Sequence, residues 1–382
     1  MERLWKGLAV LTMVGLLCGI GGTAHAVLGI PDDVPGNSIL YPFFKVNPTP
    51  NASSRQDTLI VLTNTSSIAP HVHFTVWSTT SVHLFDFTIV LTAHDVFSCS
   101  LLDLFVGSGC AGVPLAPPNI AQQLQQTVLG QTLLVGYITA DLVPDATTLF
   151  PGNENYQIAD CNILVGHEYL VNLPAGSATG FKAVALESYF PQKGQQARLP
   201  FSIPPPPPAP GGISYIGFYL NRCLEDHGAP CTFDNLERID GFTGDLVQTF
   251  SGPDSPGLQL IVRYFTLSAI NAKTEIWLWK DRNTTSTNIG IAIYDEAENQ
   301  YSIGTPIPNE VSVIDVGALV SPGIPGGWFR IQFLNSQYGL TPSPIQAVAY
   351  SLQTANSQQA SLRWDAIFPA DRQYTNYFNG QE

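Results

Sequence analysis

The stretch His71–Trp77, with the sequence HVHFTVW, alternates polar and apolar side chains and is rich in β-branched and aromatic residues. On a strand, successive side chains point to opposite faces of the sheet. Val72, Phe74 and Val76 are therefore predicted to face a core. The opposite set, predicted to face outward, is His71, His73, Thr75 and Trp77. A sheet with one covered face and one open face is typical of an antiparallel β-sandwich.

Similar runs, bounded by Asn, Ser, Gly or Pro, recur along the chain and predict further strands. In the first half they are Asp57–Leu62, Phe85–Leu91, Thr132–Ala140, Glu168–Leu173 and Phe181–Glu187. In the second half they are Leu258–Leu267, Glu275–Lys280, Asn288–Tyr294, Gly327–Leu334, Ile345–Leu352 and Ser361–Phe368. A helical period stands out only in Asn119–Gly130. We therefore expect an all-β protein of two tandem antiparallel β-sandwich domains with one short helix.

The two halves of the chain carry similar motifs in the same order, which predicts a tandem duplication. Tyr41–Val46 resembles Arg263–Leu267, and Gly136-Tyr137-Ile138 resembles Gly327-Trp328-Phe329. Between the halves, Pro204–Pro208 cannot join a sheet because proline has no backbone N–H to donate. The predicted organisation is a leader at 1–26, a first sandwich at 27–203, a Pro/Gly-rich linker at 204–212 and a second sandwich at 213–382, in which 213–257 has no counterpart in the first half.

The N-terminus predicts export. Arg3 and Lys6 precede the apolar run Gly7–Ile20, and Ala24-His25-Ala26 supplies small residues for cleavage before Val27. This pattern is typical of a secretory signal peptide, so we expect the mature chain in the periplasm, at the cell surface or outside the cell. No later apolar run reaches the roughly 18 residues of a membrane helix, so we expect no integral membrane segment in the mature chain.

The charge of the chain argues against two classes of partner. Without Glu2, Arg3 and Lys6, the 16 basic and 30 acidic residues of the full chain leave a formal net charge of −15. Binding to nucleic acid or to anionic lipid depends on Lys and Arg, so we expect neither partner. Surface glycans and other exported proteins remain as candidate partners, and open sheet edges leave self-association open.

Five cysteines remain after the leader is removed, and in an oxidising compartment they are expected to form disulfides. The two short-range pairs are Cys99–Cys110 and Cys223–Cys231, which leaves Cys161 over. Cys110–Cys161 is the competing pair, and the sequence alone does not decide the connectivity.

A set of short motifs runs through the first third of the mature chain: Ile39–Phe44, Asp57–Ile60, Asn64-Thr65-Ser66, Asp86-Phe87, Leu91 and His94-Asp95-Val96. With these motifs, this part of the chain resembles a group of exported bacterial proteins of unknown function. The resemblance implies an extracytoplasmic β-sandwich, and it supplies no activity, cofactor or catalytic residue.

Several sequence patterns suggest chemistry, but none is complete. Gly107-x-Gly109-x-x-Gly112 is followed by prolines where a dinucleotide fold requires a helix. His71 and His73 share one strand face and are weak metal candidates, with His83 or His94 as a third ligand. A glycosidase needs two carboxylates across a cleft, and the chain has several candidates, although no pair can be singled out. These carboxylates are Asp86, Asp95, Asp141, Asp160 and Glu168.

We therefore assign no catalytic residue and no cofactor, and we rank three functions. The first is a non-enzymatic structural or adhesive protein of the cell surface or the medium. The second is a carbohydrate-binding protein, in which an exposed tryptophan such as Trp77 would stack on a sugar ring. The third is an extracellular hydrolase.

Overall fold

The computed structural model describes residues 35–49, 55–151, 156, 158–159, 161–173, 176–186, 258–280, 288–297, 299–307, 309–320, 324–332, 347–357 and 362–374. These residues belong to one compact unit that begins at Asp33. The leader, the linker and residues 213–257, with Cys223 and Cys231, lie outside the described residues. The domain boundaries therefore stay a prediction.

The first half of the chain forms two antiparallel sheets. Sheet I consists of β1 (Ser38–Val46), β3 (His71–Ser78), β4 (His83–Val90), β6 (Gln125–Val128), β7 (Gln131–Val143) and β10 (Val184–Leu186). Its strand order is β10-β1-β7-β3-β4, and β6 pairs with β7. Sheet II consists of β2 (Gln56–Asn64), β5 (Val96–Ser100), β8 (Leu164–Asn172) and β9 (Ser177–Lys182), in the order β5-β2-β8-β9.

The second half also forms two antiparallel sheets. Sheet III consists of β11 (Leu258–Phe265), β13 (Asn288–Asp295), β14 (Gln300–Pro306), β16 (Gly326–Gln332) and β19 (Asp371–Tyr374), in the order β14-β13-β16-β11-β19. Sheet IV consists of β12 (Lys273–Lys280), β15 (Val311–Asp315), β17 (Ala347–Ser357) and β18 (Leu362–Pro369), in the order β15-β12-β17-β18. The expected all-β fold is therefore confirmed.

The prediction of a single helix is wrong, because the described residues contain three short α-helices and one 3₁₀ turn. These are α1 (Leu101–Val106), α2 (Pro118–Leu124), α3 (Val316–Leu319) and the turn Ser268–Ile270. The predicted helix Asn119–Gly130 ends at Leu124, because residues 125–128 pair with β7 across a turn at Leu129 and Gly130, both with positive φ. Helix α1 begins where the Ser100 side chain accepts a hydrogen bond from the Asp103 N–H, an N-cap.

The two halves share one topology. Sheet I has the order β10-β1-β7-β3-β4, and sheet III has the corresponding order β19-β11-β16-β13-β14. Sheets II and IV have the corresponding orders β5-β2-β8-β9 and β15-β12-β17-β18. Thus β1, β2, β7 and β8 correspond to β11, β12, β16 and β17. The common origin of the two halves stays a prediction.

Two threonines make the same clamp in both halves. Thr58 Oγ1 accepts a hydrogen bond from Lys45 N at 2.9 Å and donates to Lys45 O at 2.9 Å. Thr274 Oγ1 does the same with Phe265, accepting from its N–H at 2.9 Å and donating to its carbonyl at 2.8 Å. Each hydroxyl satisfies both backbone groups of a residue near the end of the first strand. Lys45 and Phe265 therefore occupy equivalent positions.

Two glycines are also equivalent, and each is required by close backbone approach. A Cβ at Gly136 would collide with the carbonyl oxygen of Trp77 and the ring of Phe44. A Cβ at Gly327 would collide with the carbonyl oxygen of Tyr294 and the ring of Tyr264. The predicted match of Gly136-Tyr137-Ile138 with Gly327-Trp328-Phe329 therefore aligns positions with the same structural role.

The four sheets pack in the order II, I, IV, III, with three apolar layers between them. Ile39, Ile60 and Phe74 belong to the layer between sheets II and I. Ile276, Phe329 and other residues fill the layer between sheets IV and III. The middle layer, which we call the seam, joins sheet I to sheet IV and is built around Phe43, Tyr137, Trp277, Trp279 and Tyr350. Sheets I and IV are therefore covered on both faces.

Candidate functional site

The seam is closed by stacked aromatic rings from both halves of the chain. The Phe43 ring lies 4.8 Å from the Trp277 ring between centroids and is nearly parallel to it. Tyr137 meets Trp279 edge to face at 5.9 Å. Trp277 and Trp279 are 0% and 1% exposed, so neither ring offers a face to a ligand. Sheets that pack through such rings gain both area burial and pairwise aromatic attraction.

A partly buried ion pair crosses the edge of the seam. Lys45 Nζ on β1 lies 2.9 Å from Glu275 Oε2 on β12, and Trp277 Nε1 donates to the same oxygen at 3.0 Å. The ammonium also lies 5.5 Å from the centroid of the Trp277 ring. Lys45 therefore connects the two halves by charge as well as by packing.

A small pocket opens beside this ion pair, and we call it the seam pocket. It has a volume of about 50 Å³, which admits a few water-sized groups because one water needs about 10–15 Å³. Leu170, Val171 and Leu352 form its apolar lining. Its polar lining residues are Lys45, Gln56, Asp57, Asn172, Thr179, Thr354 and Asp365. Both halves of the chain thus contribute to one pocket.

Several polar groups in the seam pocket have spare hydrogen-bonding capacity. Among the described residues, the side chains of Gln56, Thr179 and Thr354 make no hydrogen bond, and Lys45 uses its ammonium only on Glu275. Asp365 accepts a hydrogen bond from the Ser177 hydroxyl. An amide, two hydroxyls and an ammonium can therefore turn toward a polar ligand without losing a partner.

Asp57 is a different kind of pocket residue, because its oxygens are already engaged. Oδ1 accepts from the N–H groups of Thr58 at 2.7 Å and Leu102 at 2.9 Å, and Oδ2 accepts from the Ser100 hydroxyl at 2.7 Å. Burial raises the pKa of Asp57 despite these hydrogen bonds, which lower it. Asp57 therefore holds the start of α1 against β2 and is a structural carboxylate.

Trp77 is not exposed, contrary to the outward orientation predicted for its strand face. It is 3% exposed, lies parallel to Tyr137 at 6.0 Å and donates from Nε1 to Thr139 Oγ1 at 3.0 Å. His73 and Thr75 on the same face are both 0% exposed. The error has one cause: the face expected to meet solvent is covered by the seam and by the segment around Phe150 and Tyr156. A sugar has no access to the Trp77 ring in this arrangement.

His73 lies in a polar cluster with His83 and Asp86 rather than with His71. Its Nδ1 lies 2.8 Å from Thr88 Oγ1, which donates to Thr147 O, so His73 is the donor to Thr88. Its Nε2 lies 3.8 Å from Asp86 Oδ1, while His83 Nε2 lies 2.9 Å from Asp86 Oδ2. Burial lowers the pKa of His73 to about 4. Over the part of the chain that the structure describes, no group of three or more His, Cys, Asp or Glu side chains is arranged to hold a metal ion.

Of the predicted disulfides, Cys99–Cys110 is present in the structure, with a Cα–Cα distance of 5.3 Å. It ties β5 to the loop after α1. Cys161 is exposed, and the pair Cys223–Cys231 falls outside the described residues.

One of the scattered carboxylates named in the sequence, Glu168, lies in an environment that the sequence did not predict. Glu168 on β8 is 0% exposed, and neither of its carboxylate oxygens has a hydrogen-bond partner among the described residues. Burial raises its pKa well above the usual range. It also lies close enough to Tyr41 to raise the pKa of that hydroxyl, after the larger effect of burial. Burial therefore disfavours the charged form of Glu168 inside the first sandwich.

The comparisons with known proteins identify no relative. No protein family, no curated protein and no solved structure matches the chain. Among the described helices, none is long and apolar enough to cross a bilayer.

Proposed function

We propose that the protein is an exported, non-enzymatic module with a structural or adhesive role at the cell surface or outside the cell. The observation that carries this proposal is the seam. Phe43 and Trp277, from opposite halves of the chain, stack at 4.8 Å in a layer that covers both halves. A chain built in this way transmits force or presents its surfaces as one body, because two domains joined by a large apolar interface do not move independently.

Export and role are tested together in cells that produce the protein. We expect mass spectrometry of the exported fraction to find a chain that starts at Val27. We also expect cells that lack the protein to show weaker attachment or lower envelope integrity. Trp277→Ala, brought to equal exported amount, should reproduce part of that loss, while Ile68→Ala, at a 51% exposed loop position, should not. A chain that keeps Met1 in the cytoplasm, or one that turns over a hydrolase substrate, contradicts the proposal.

A second candidate function is carbohydrate binding, and the seam pocket favours it. The unengaged groups of Gln56, Thr179 and Thr354 lie beside the apolar Leu170 and Leu352. Sugars combine hydroxyl groups with apolar ring faces, so they fit a lining of this mixed kind. A pocket of about 50 Å³ has room for a few water-sized groups, so it would take only part of a terminal sugar unit and not a whole enclosed ligand.

Titration of the exported chain with neutral monosaccharides, followed by NMR or calorimetry, tests this second function. Thr354→Val and Gln56→Leu should each weaken binding several-fold, because each removes a hydrogen-bonding group from the pocket. Thr63→Val, on sheet II away from the pocket, is the matched control. If binding is instead lost in Trp77→Phe and kept in the pocket variants, the pocket is not the sugar site.

A further inference from the structure

Because the two halves have matching topology, each sheet of one half has an equivalent sheet in the other half. This equivalence indicates which surface each of the two outermost sheets, II and III, would contact. Within the chain, the outer face of sheet I packs on the outer face of sheet IV. Sheet III is the equivalent of sheet I, and sheet II is the equivalent of sheet IV. We propose that sheet III of one molecule packs on sheet II of a second copy, so that the chain assembles head to tail.

The outer face of sheet III repeats a feature of the seam. In the seam, Trp77 lies parallel to Tyr137 at 6.0 Å. At the equivalent positions of sheet III, Tyr294 lies parallel to Trp328 at 4.0 Å, with the Arg330 guanidinium 5.8 Å from the Tyr294 ring. Both aromatic residues are only half-buried. The same aromatic pair is thus covered in one half of the chain and open in the other.

The outer face of sheet II is largely apolar, with Thr63 and His167 as polar members. Leu59, Val61, Val165 and Val171 are half-buried on this face, and Tyr169 is 38% exposed. The equivalents of these positions in sheet IV include Trp277 and Leu352, both in the seam. An exposed apolar sheet face of this kind marks an interaction surface.

The equivalent positions also predict what would replace the Lys45–Glu275 ion pair in a contact between two copies. Lys45 corresponds to Phe265, and Glu275 corresponds to Leu59. The ion pair Lys45–Glu275 would therefore become an apolar contact of Phe265 with Leu59 of the next copy. This exchange removes the need to desolvate two charges between molecules.

The geometry of such a contact decides the kind of assembly. Sheets III and II are different surfaces, so the contact is heterologous and leaves one of each open at the two ends. Repetition therefore gives an open filament, or a ring where the rotation between copies closes, rather than an isologous dimer. Because the full chain carries a formal charge of −14, copies repel one another, and added salt should promote assembly by screening.

The test uses the purified exported chain in analytical ultracentrifugation and negative-stain microscopy. We expect the average mass to grow with protein concentration and with salt, and linear assemblies to appear. Val61→Lys on sheet II and Trp328→Lys on sheet III should each give monomers, although both changes reduce the net negative charge. Ile68→Lys, on neither face, should assemble as before. Thermal unfolding checks that each variant folds. Tyr169→Lys on sheet II and Phe265→Lys on sheet III form a second pair of variants with the same expected result.

Mixing the two variants distinguishes a head-to-tail contact from every symmetric one. Each variant keeps one intact face, so an equimolar mixture of Val61→Lys and Trp328→Lys should form one-to-one dimers and nothing larger. A wild-type chain that stays monomeric at all concentrations and salt levels overturns the inference, and so does a mixture that stays monomeric while the wild type assembles. A monomeric exported chain leaves the proposed structural or adhesive role standing.

Discussion

The stack of Phe43 on Trp277 gives the sharpest test of the seam. We choose Phe43→Leu and Trp277→Leu, singly and together, because leucine keeps part of the apolar volume. Truncation of a buried Phe or Trp to Ala typically costs about 3–5 kcal/mol. We therefore expect about 2–4 kcal/mol for Trp277→Leu, which also leaves Glu275 Oε2 without its indole donor at 3.0 Å, and about 1–2 kcal/mol for Phe43→Leu.

The informative quantity is the coupling between the two changes. Two rings at 4.8 Å between centroids and an interplanar angle of 21° should give a coupling of about 0.5–1.5 kcal/mol in a double-mutant cycle. Urea unfolding followed by tryptophan fluorescence and circular dichroism supplies the four free energies. Phe105→Leu is the matched control, because Phe105 belongs to the layer between sheets I and II, and its effect should add to that of Trp277→Leu. Coupling no larger than in the control pair would refute the packing of sheet I on sheet IV.

Four further predictions concern groups in the first sandwich and in the clamps. Because burial raises the pKa of Glu168, the wild type should lose stability as pH rises above the unfolded-state pKa of a glutamate, and Glu168→Leu should abolish this loss in urea unfolding across pH 4–8. Because the pKa of His73 is lowered to about 4, the free energy of unfolding should also fall as the pH drops from the ordinary pKa of histidine toward about 4. His73→Phe should remove this part of the pH dependence. Cys99→Ser should cost about 2.5–3 kcal/mol by loop-closure entropy, with no further loss on adding reductant. Thr58→Val and Thr274→Val should each cost about 1–3 kcal/mol, since each leaves a backbone N–H and C=O without a partner; a neutral result for either would contradict the clamp.

Strand alternation was sufficient to predict the all-β fold but not the environment of each face. The run His71–Trp77 does place Val72, Phe74 and Val76 toward one core, as predicted. Its other face is buried too, which alternation cannot reveal because a polar set such as His73 and Thr75 can be buried when a second layer covers it. The sequence carries no local signal for which sheet faces meet, since that depends on contacts hundreds of residues apart.

Strand β1 was missed for a related reason. Ser38–Val46 is buried at every position, so it lacks the alternation that identifies a half-exposed strand. Pro42 adds a signal against a central strand, yet it falls where the pairing with β7 shifts register between Tyr41 and Phe44. The seam pocket could not be predicted either, because Lys45, Thr179 and Asp365 come together only when both halves have folded and packed.

The seam also explains why equivalent positions in the two halves have different chemistry. Sheets I and IV meet inside one chain, where the local concentration of the partner is fixed, so a partly buried charged pair such as Lys45–Glu275 is tolerated there. The equivalent positions on the outermost sheets, Phe265 and Leu59, are apolar. A chain that acted only as an isolated monomer would gain solubility from charges at those two positions and would lose nothing in its own seam. Their apolar character is what a contact between copies requires, because such a contact has to offset the entropy of association without the help of a covalent link.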